Sequence, residues 1–198
     1  MILIRLLTPV LFLIALSAAP ATAASFSHVV IDPGHGGHDR GGFNGLVFEK
    51  HLALDVSFRL EQFLKRHGVK SQLTRSRDEF ISLDARPAKS NGVRNAIFVS
   101  IHFNAASREG AAGIETFYHK SDSYALAAVV QRHILQATGA DTRGVKHANF
   151  RVLRKSSRPA ILVECGFLTN ASERRLCLDP RYRQRLAEGI GRGILDYR

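Results

Sequence analysis

Four side chains that can bind a metal ion or transfer a proton stand at the boundaries of predicted strands and helices. They are His35, Glu49, His102 and Glu164. Two imidazoles and one carboxylate with an open coordination position form a common catalytic zinc site, whereas harder cations prefer oxygen ligands. We therefore expect the first three residues to hold Zn²⁺. Glu164 could then take a proton from metal-activated water and pass it to a leaving amine.

The four residues are far apart in the sequence, and no compact H-E-x-x-H motif accompanies them. Each also has an ordinary structural interpretation: a loop histidine, a strand-end histidine, a first-turn carboxylate favoured by the helix dipole, or an ion-pair partner. His38 lies near enough to His35 to compete as a ligand. However, three of the four follow apolar strands, where a buried charge is costly unless it is paired or metal-bound. This pattern favours a metal site.

The predicted strands before these residues are apolar throughout. The first predicted strand is His28–Asp32, and His35 follows it in the next loop. Two further strands cover 96–101 and 160–163, and they end on His102 and Glu164. Glu49 is the first residue of a predicted helix that ends at His67 and Gly68. Strands buried on both faces and alternating with helices indicate an α/β fold. We predict a single domain with a mostly parallel twisted sheet of about six strands and helices on both faces. Ligands bind at the carboxyl edge of such sheets, where all four residues can meet.

The remaining predicted elements follow from weaker patterns. We expect strands at 69–74, 113–118 and 150–153, a helix from Ser82 or Arg86 to about Asn95, a helix capped by Ser123, and a C-terminal helix.

The first 23 residues have the pattern of a secretory signal peptide. Arg5 precedes an uncharged apolar run, and Ala21-Thr22-Ala23 fits a cleavage site. An uncleaved membrane anchor is the alternative, but Pro9 and Pro20 argue against it. We therefore expect residues 1–23 to be a signal peptide and 24–198 a catalytic domain. The protein would be exported to the periplasm, the cell wall or the medium.

The net charge of +11 is consistent with an exported protein that contacts anionic envelope polymers, and we expect no nucleic-acid partner. We expect a monomer.

Cys165 and Cys177 could form a disulfide bond or could be two small buried side chains. The Gly-rich loop after the first strand lacks both G-x-G-x-x-G and G-x-x-x-x-G-K-[ST], which argues against nucleotide binding.

The segments that carry these residues resemble, in order, the motifs of zinc-dependent N-acetylmuramoyl-L-alanine amidases of the Amidase_3 type. The matching segments are 30–37, Glu49 opening a helix, 98–105, 113–118 and 162–170. The resemblance implies a peptidoglycan hydrolase that cuts the amide bond between the lactyl group of N-acetylmuramic acid and L-alanine. It implies zinc ligands at His35, Glu49 and His102, and a catalytic base at Glu164 that activates water with the metal.

Asn104 and Glu115 also match family motif positions, as substrate contacts, metal-site supports or structural residues. Some relatives carry a long helical insertion that plugs the site, but the segment from Tyr118 to Gly144 is too short for one. We therefore expect an open cleft.

Two other functions fit parts of the sequence. A non-catalytic wall-binding module would keep the fold, but it would be expected to lose Glu164 or a ligand first. A zinc aminopeptidase or carboxypeptidase could use the same ligand set on free peptides.

Overall fold

The computed structural model describes residues 26–107 and 110–198, so the predicted signal peptide lies outside the described residues. The strands are β1 (His28–Pro33), β2 (Phe43–Asn44), β3 (Val47–Phe48), β4 (Lys70–Leu73), β5 (Ala96–Asn104), β6 (Ile114–Tyr118), β7 (Thr142–His147) and β8 (Ala160–Phe167). The helices are α1 (Glu49–Arg66), α2 (Ala85–Asn91), α3 (Tyr124–Thr138), α4 (Arg151–Arg154), α5 (Ala171–Leu178) and α6 (Pro180–Tyr197). Within these described ranges, no helix is long and apolar enough to cross a bilayer.

Six strands form one sheet in the order β4-β1-β5-β8-β6-β7, and β2 pairs with β3 in a separate hairpin. Every neighbouring pair in the six-stranded sheet is parallel except β6 and β8. This confirms the predicted mostly parallel α/β sheet. The register places His102 of β5 beside Glu164 of β8, and Glu115 of β6 on the other side of Glu164.

Alternate side chains of the central strands enter two separate cores because neighbouring residues of a strand point to opposite faces. Val29, Ile31 and Val99 pack in the larger core with α1, α3 and α6. Val30 and Phe98 pack in a smaller core with Val152 and Leu153 of α4. Helices therefore cover both faces, and the central strands are rigidly held at the edge where the candidate site residues lie.

One of the weaker predictions is wrong, and one strand was not predicted. Residues 150–153 are not a strand: α4 begins at Arg151, and the adjacent Val152 and Leu153 are buried in one helical turn. A short apolar run does not distinguish one helical turn from a strand. The sheet instead gains β7, which we did not predict because its sequence TRGVKH has no buried residue.

The bounds of three other elements also differ from the predictions. β5 and β8 continue to Asn104 and Phe167, so His102 and Glu164 lie inside strands rather than directly after them. The second helix ends at Asn91, before Gly92. Ser123 precedes α3 as predicted but makes no capping bond. Its hydroxyl donates to Asp122 and accepts the Ala160 N–H instead.

Both cysteines are free thiols and are buried. Burial raises the pKa of Cys165 well above its ordinary value and that of Cys177 to about 12. They therefore contribute as small apolar side chains in the larger core.

Helix α6 packs closely on α3 through glycines. A Cβ atom at Gly193 would lie 2.6 Å from the Cα atom of Val130, which is too close for any side chain. We expect Gly193→Ala to lower the free energy of unfolding by about 1–3 kcal/mol because the two backbones must separate. Urea unfolding would measure the change. Gly92→Ala is the control, since its nearest neighbours would be at 3.7 Å. A Gly193→Ala protein as stable as the wild type would contradict this account of the packing.

Candidate metal centre

The three predicted ligands come from three elements that meet at one edge of the sheet. His35 lies in the loop after β1, Glu49 is the first residue of α1, and His102 lies near the end of β5. Gly34 allows the approach, because a Cβ atom there would lie 2.4 Å from the His102 ring. His35 itself has a φ of 58°, a left-handed conformation that costs a non-glycine residue about 1–2 kcal/mol. Contacts with neighbouring residues must therefore stabilise this conformation of the loop.

The ligand atoms of His35, Glu49 and His102 all lie within 4.8 Å of one another. His35 Nε2 is 3.1 Å from Glu49 Oε2, and His102 Nδ1 is 2.8 Å from Glu49 Oε1. The two rings meet edge to face, with centroids 4.9 Å apart. The structure thus brings together the three residues for which the sequence predicted a shared ion.

The electrostatics of this cluster favour a cation between the three side chains. Burial alone would raise the pKa of Glu49, but hydrogen bonds from His102 and His35 hold it far below its ordinary value. Burial opposes charge on His102 as well, yet the Glu49 carboxylate raises its pKa to about 9. The carboxylate therefore attracts protons to both rings, and a divalent cation that binds here must displace them.

Other residues fix the orientation of the ligands. Asp39 Oδ2 lies 2.9 Å from His35 Nδ1, which leaves Nε2 to face Glu49. Glu49 accepts the Gly42 N–H at 2.7 Å and the Phe103 N–H at 3.0 Å. Such contacts typically hold metal-binding side chains in one rotamer. His38 is not part of the cluster, because its ring stacks on Phe80 with a centroid distance of 4.2 Å.

Glu164 lies beside this cluster, and one of its carboxyl oxygens lacks a hydrogen-bond partner among the described residues. This oxygen, Oε2, is buried. Burial raises the pKa of Glu164 to about 7, partly offset by the nearby His102. An orphaned buried oxygen is costly. Such an oxygen is expected at a site where a water molecule or a substrate donates the missing hydrogen bond.

A second buried carboxylate, Glu115, belongs to a polar network next to Glu164. Asn104 Nδ2 donates to Glu115 Oε1 at 2.8 Å, and Arg143 Nε lies 3.2 Å from Oε2. Lys146 also contacts Oε2. Asn104 and Glu115 thus contact each other, away from the three candidate ligands. Arg143 and Lys146 were not identified from the sequence, because β7, which carries them, was not predicted.

A cavity of about 260 Å³ opens onto the cluster. His35, His102 and Glu164 line one part of it. An apolar wall lines another part and consists of Leu83, Phe150, Val152 and Leu162. This wall was not predictable from the sequence, because Leu83 and Phe150 lie in loops without periodicity. α3, which occupies most of the segment from Tyr118 to Gly144, packs against α6 rather than over this cavity.

An α/β sheet edge that carries two histidines, a glutamate and a separate buried carboxyl group in a cleft is typical of metal-dependent hydrolases. Comparison with known proteins identifies the family. Residues 29–196 match the Amidase_3 family, which is described as N-acetylmuramoyl-L-alanine amidase. The chain belongs to this family, which confirms the predicted family and the amidase class.

Individual relatives agree with this assignment. The chain is 35% identical to the uncharacterized protein YqiI of Bacillus subtilis strain 168, with 93% of each chain covered. It is also 35% identical to the N-acetylmuramoyl-L-alanine amidase LytC of the same strain, covering 85% of this chain but only 35% of LytC. A crystal structure of an N-acetylmuramoyl-L-alanine amidase from Clostridium difficile 630 superposes with a TM-score of 0.84 and 39% identity. That match covers 87% of this chain and 96% of the other.

Proposed function

We propose that this protein hydrolyses the amide bond between the lactyl group of N-acetylmuramic acid and L-alanine in peptidoglycan, and that it uses Zn²⁺ for this reaction. One observation carries the proposal. In a chain of the Amidase_3 family, the ligand atoms of His35, Glu49 and His102 lie within 4.8 Å of one another, beside the buried Glu164 carboxyl group.

The donor set fits zinc. Two imidazole nitrogens and one carboxylate oxygen suit Zn²⁺ better than Mg²⁺ or Ca²⁺, which take mainly oxygen ligands. When bound, Zn²⁺ polarises the scissile carbonyl, lowers the pKa of water and stabilises the developing oxyanion. His35, Glu49 and His102 would hold the ion, and Asp39 would keep His35 in the required orientation.

Glu164 moves the proton. As the attacking water forms its bond to the carbonyl carbon, Glu164 accepts a proton from it. The same carboxyl group then donates this proton to the alanine nitrogen as the C–N bond breaks. A pKa raised to about 7 suits both steps, because the group can lose and regain a proton near neutral pH.

The apolar wall strengthens these interactions. Phe150, Val152 and Leu162 form an apolar side of the cavity that Glu164 also lines. Lower polarity around the reacting groups increases the energy of each charge-charge interaction. The wall also offers an apolar surface to the methyl groups that flank the scissile amide.

Digestion of purified peptidoglycan by the purified protein tests this proposal. We expect new N-terminal L-alanine and glycan strands that have lost their stem peptides. A peptidase acting on free peptides would instead release amino acids from isolated stem peptides and leave the lactyl amide intact. A wall-binding module would bind the sacculi without forming either product.

We also propose that residues 1–23 direct export and are removed, so that the enzyme acts outside the cytoplasm as a monomer. The apolar run after Arg5 and the A-x-A site support this assignment. The net charge of +11 favours contact with anionic envelope polymers. N-terminal sequencing of the mature protein should start at Ala24, and light scattering should give the mass of a single chain.

Removal of the Asp39 carboxylate should weaken metal binding. We expect Asp39→Ala to lower zinc affinity by about 10–100-fold, because His35 loses the acceptor that orients its ring. Asp39→Asn, which keeps an oxygen acceptor, should lie between this variant and the wild type. Competition with a chromophoric chelator would measure the affinities. Asp55→Ala is the control, since Asp55 pairs with Arg59 and Arg183 away from the site. Equal affinities for Asp39→Ala and the wild type would contradict the orienting role.

A further inference from the structure

We infer that two buried arginines, Arg75 and Arg86, are positioning residues that set the relative places of the metal ligands, and that Arg75 couples the His35 loop to the start of α1. Both residues are only 2% exposed. We call them the arginine pair. The inference rests on the proposed metal site but concerns residues outside the three-residue cluster, although Arg86 also lines the cavity.

Arg86 holds the backbone on both sides of the bend after β1. Its Nη1 atom donates to the Pro33 carbonyl at 2.8 Å and to Asp32 Oδ1 at 3.0 Å, and its Nη2 donates to the His35 carbonyl at 2.8 Å. Its Nε donates to the Ile81 carbonyl at 3.1 Å. The guanidinium thus fixes the peptide group of a ligand residue directly.

Arg75 contacts the same loop from another direction and extends to a second ligand segment. Its Nη2 atom donates to the Gly34 carbonyl at 2.7 Å and to the Lys50 carbonyl at 2.8 Å. Its Nε donates to the Pro33 carbonyl at 3.1 Å. Gly34 precedes His35, and Lys50 follows Glu49. A single nitrogen of Arg75 therefore bridges the two segments whose side chains meet in the cluster.

The loop needs this support because its conformation is unfavourable by itself. His35, Gly36 and Gly37 all have positive φ angles, and for His35 this conformation costs about 1–2 kcal/mol. Within the described residues, the three consecutive carbonyls of Pro33, Gly34 and His35 accept side-chain hydrogen bonds from the arginine pair. Only a guanidinium offers five donors in a fixed plane, so lysine cannot reproduce these bonds.

The charge of the arginine pair makes the inference testable. Arg86 is paired with the buried Asp32 carboxylate, whereas the contacts of Arg75 given above are all to carbonyl groups. A positive charge near a cation site opposes metal binding. If Arg75 acted mainly through its charge, removal of that charge would raise zinc affinity. If it acts by positioning, loss of its planar donor geometry lowers zinc affinity even when the charge is kept.

The experiment is a zinc titration of purified Arg75→Lys, Arg75→Gln and wild-type protein against a chromophoric chelator. We expect Arg75→Lys to lower zinc affinity by about tenfold or more, in the range seen for residues that support metal ligands. The visible spectrum of the Co²⁺-loaded variant should also change, because the ligands no longer hold the same geometry. Arg75→Gln should likewise bind more weakly than the wild type.

Arg183→Lys is the matched control. Arg183 is largely buried and contacts a carboxylate, Asp55, and a backbone carbonyl, Cys177, but it lies on α6 away from the cluster. This variant should lose thermal stability and keep both the wild-type zinc affinity and the Co²⁺ spectrum. If Arg75→Lys does not fold, Arg86→Lys is measured in the same titration, and it should also bind zinc more weakly than the wild type.

Unchanged or increased zinc affinity in the folded arginine variants would overturn the inference. So would an equal loss of affinity in Arg183→Lys, because the effect would then follow general stability. A wild-type protein that binds no zinc would overturn the proposed zinc site itself. If instead the wild type binds zinc and the arginine variants bind it equally well, only the positioning role of the arginine pair is overturned.

Discussion

Replacement of Glu164 by glutamine is expected to lower kcat for peptidoglycan amide hydrolysis by about 10²–10⁴-fold, the usual contribution of a positioned acid-base group. Glutamine has nearly the same shape as glutamate but cannot accept a proton from water near neutral pH. Since Oε2 of Glu164 has no hydrogen-bond partner among the described residues, the substitution breaks no bond of that atom. Zinc content and thermal stability should therefore stay close to those of the wild type.

Glu173→Gln provides the matched control. The Glu173 carboxylate accepts the Gly113 N–H at 2.7 Å and the Phe167 N–H at 2.6 Å, which joins α5 to β8 outside the cleft. Loss of its charge should reduce thermal stability and leave kcat close to the wild-type value. Assays on purified sacculi would report kcat, and metal analysis would report zinc content. Full activity in Glu164→Gln would remove the assigned role of this residue.

Removal of the metal is expected to abolish hydrolysis, and Zn²⁺ should restore it in the wild type but not in Glu49→Gln. Glu49 is the only anionic member of the His35, Glu49 and His102 cluster, and each of its oxygens faces one histidine. Glutamine lacks the charge that offsets the dication, and its amide nitrogen would face a ring or a backbone N–H. Binding of an ion also stabilises the fold, by about 2.7 kcal/mol when its concentration is 100 times Kd.

Activity after dialysis against a chelator, with and without added Zn²⁺, measures this effect, and the melting temperature gives a second readout. Glu61→Gln is the control because Glu61 lies on the same helix, α1, but outside the cluster. It should regain activity and gain melting temperature with Zn²⁺ like the wild type. Hydrolysis that persists after the metal is removed would contradict the zinc mechanism.

The sequence was sufficient to predict the central sheet and the approach of the four candidate residues. His102 and Glu164 each end an apolar run in a parallel strand, and such runs place their carboxyl ends at one edge of a sheet. Glu49 was predictable as the first residue of a helix. These are local patterns, and the structure places the residues accordingly.

The elements that were predicted wrongly or not predicted at all lack a local pattern. β7 is an edge strand without a buried residue, and α4 is a single turn, so neither has enough periodic positions to define its type. The antiparallel pairing of β6 with β8 joins segments far apart in the sequence. Arg75 and Arg86 bond mainly to backbone carbonyls, which any residue type could supply. For this reason, the sequence does not reveal their connection to the site.

The position of β8 in the sheet determines when the candidate site can be completed during synthesis of the chain. β8 is the last strand in the chain, yet it lies between β5 and β6 in the middle of the sheet. A nascent chain that has emerged only as far as α4 carries the three candidate ligands but lacks Glu164 and the strand that separates β5 from β6. The candidate site is therefore completed only when the final strand inserts between β5 and β6. We expect a chain that ends before β8 to be inactive, because it would lack the residue proposed to transfer the proton.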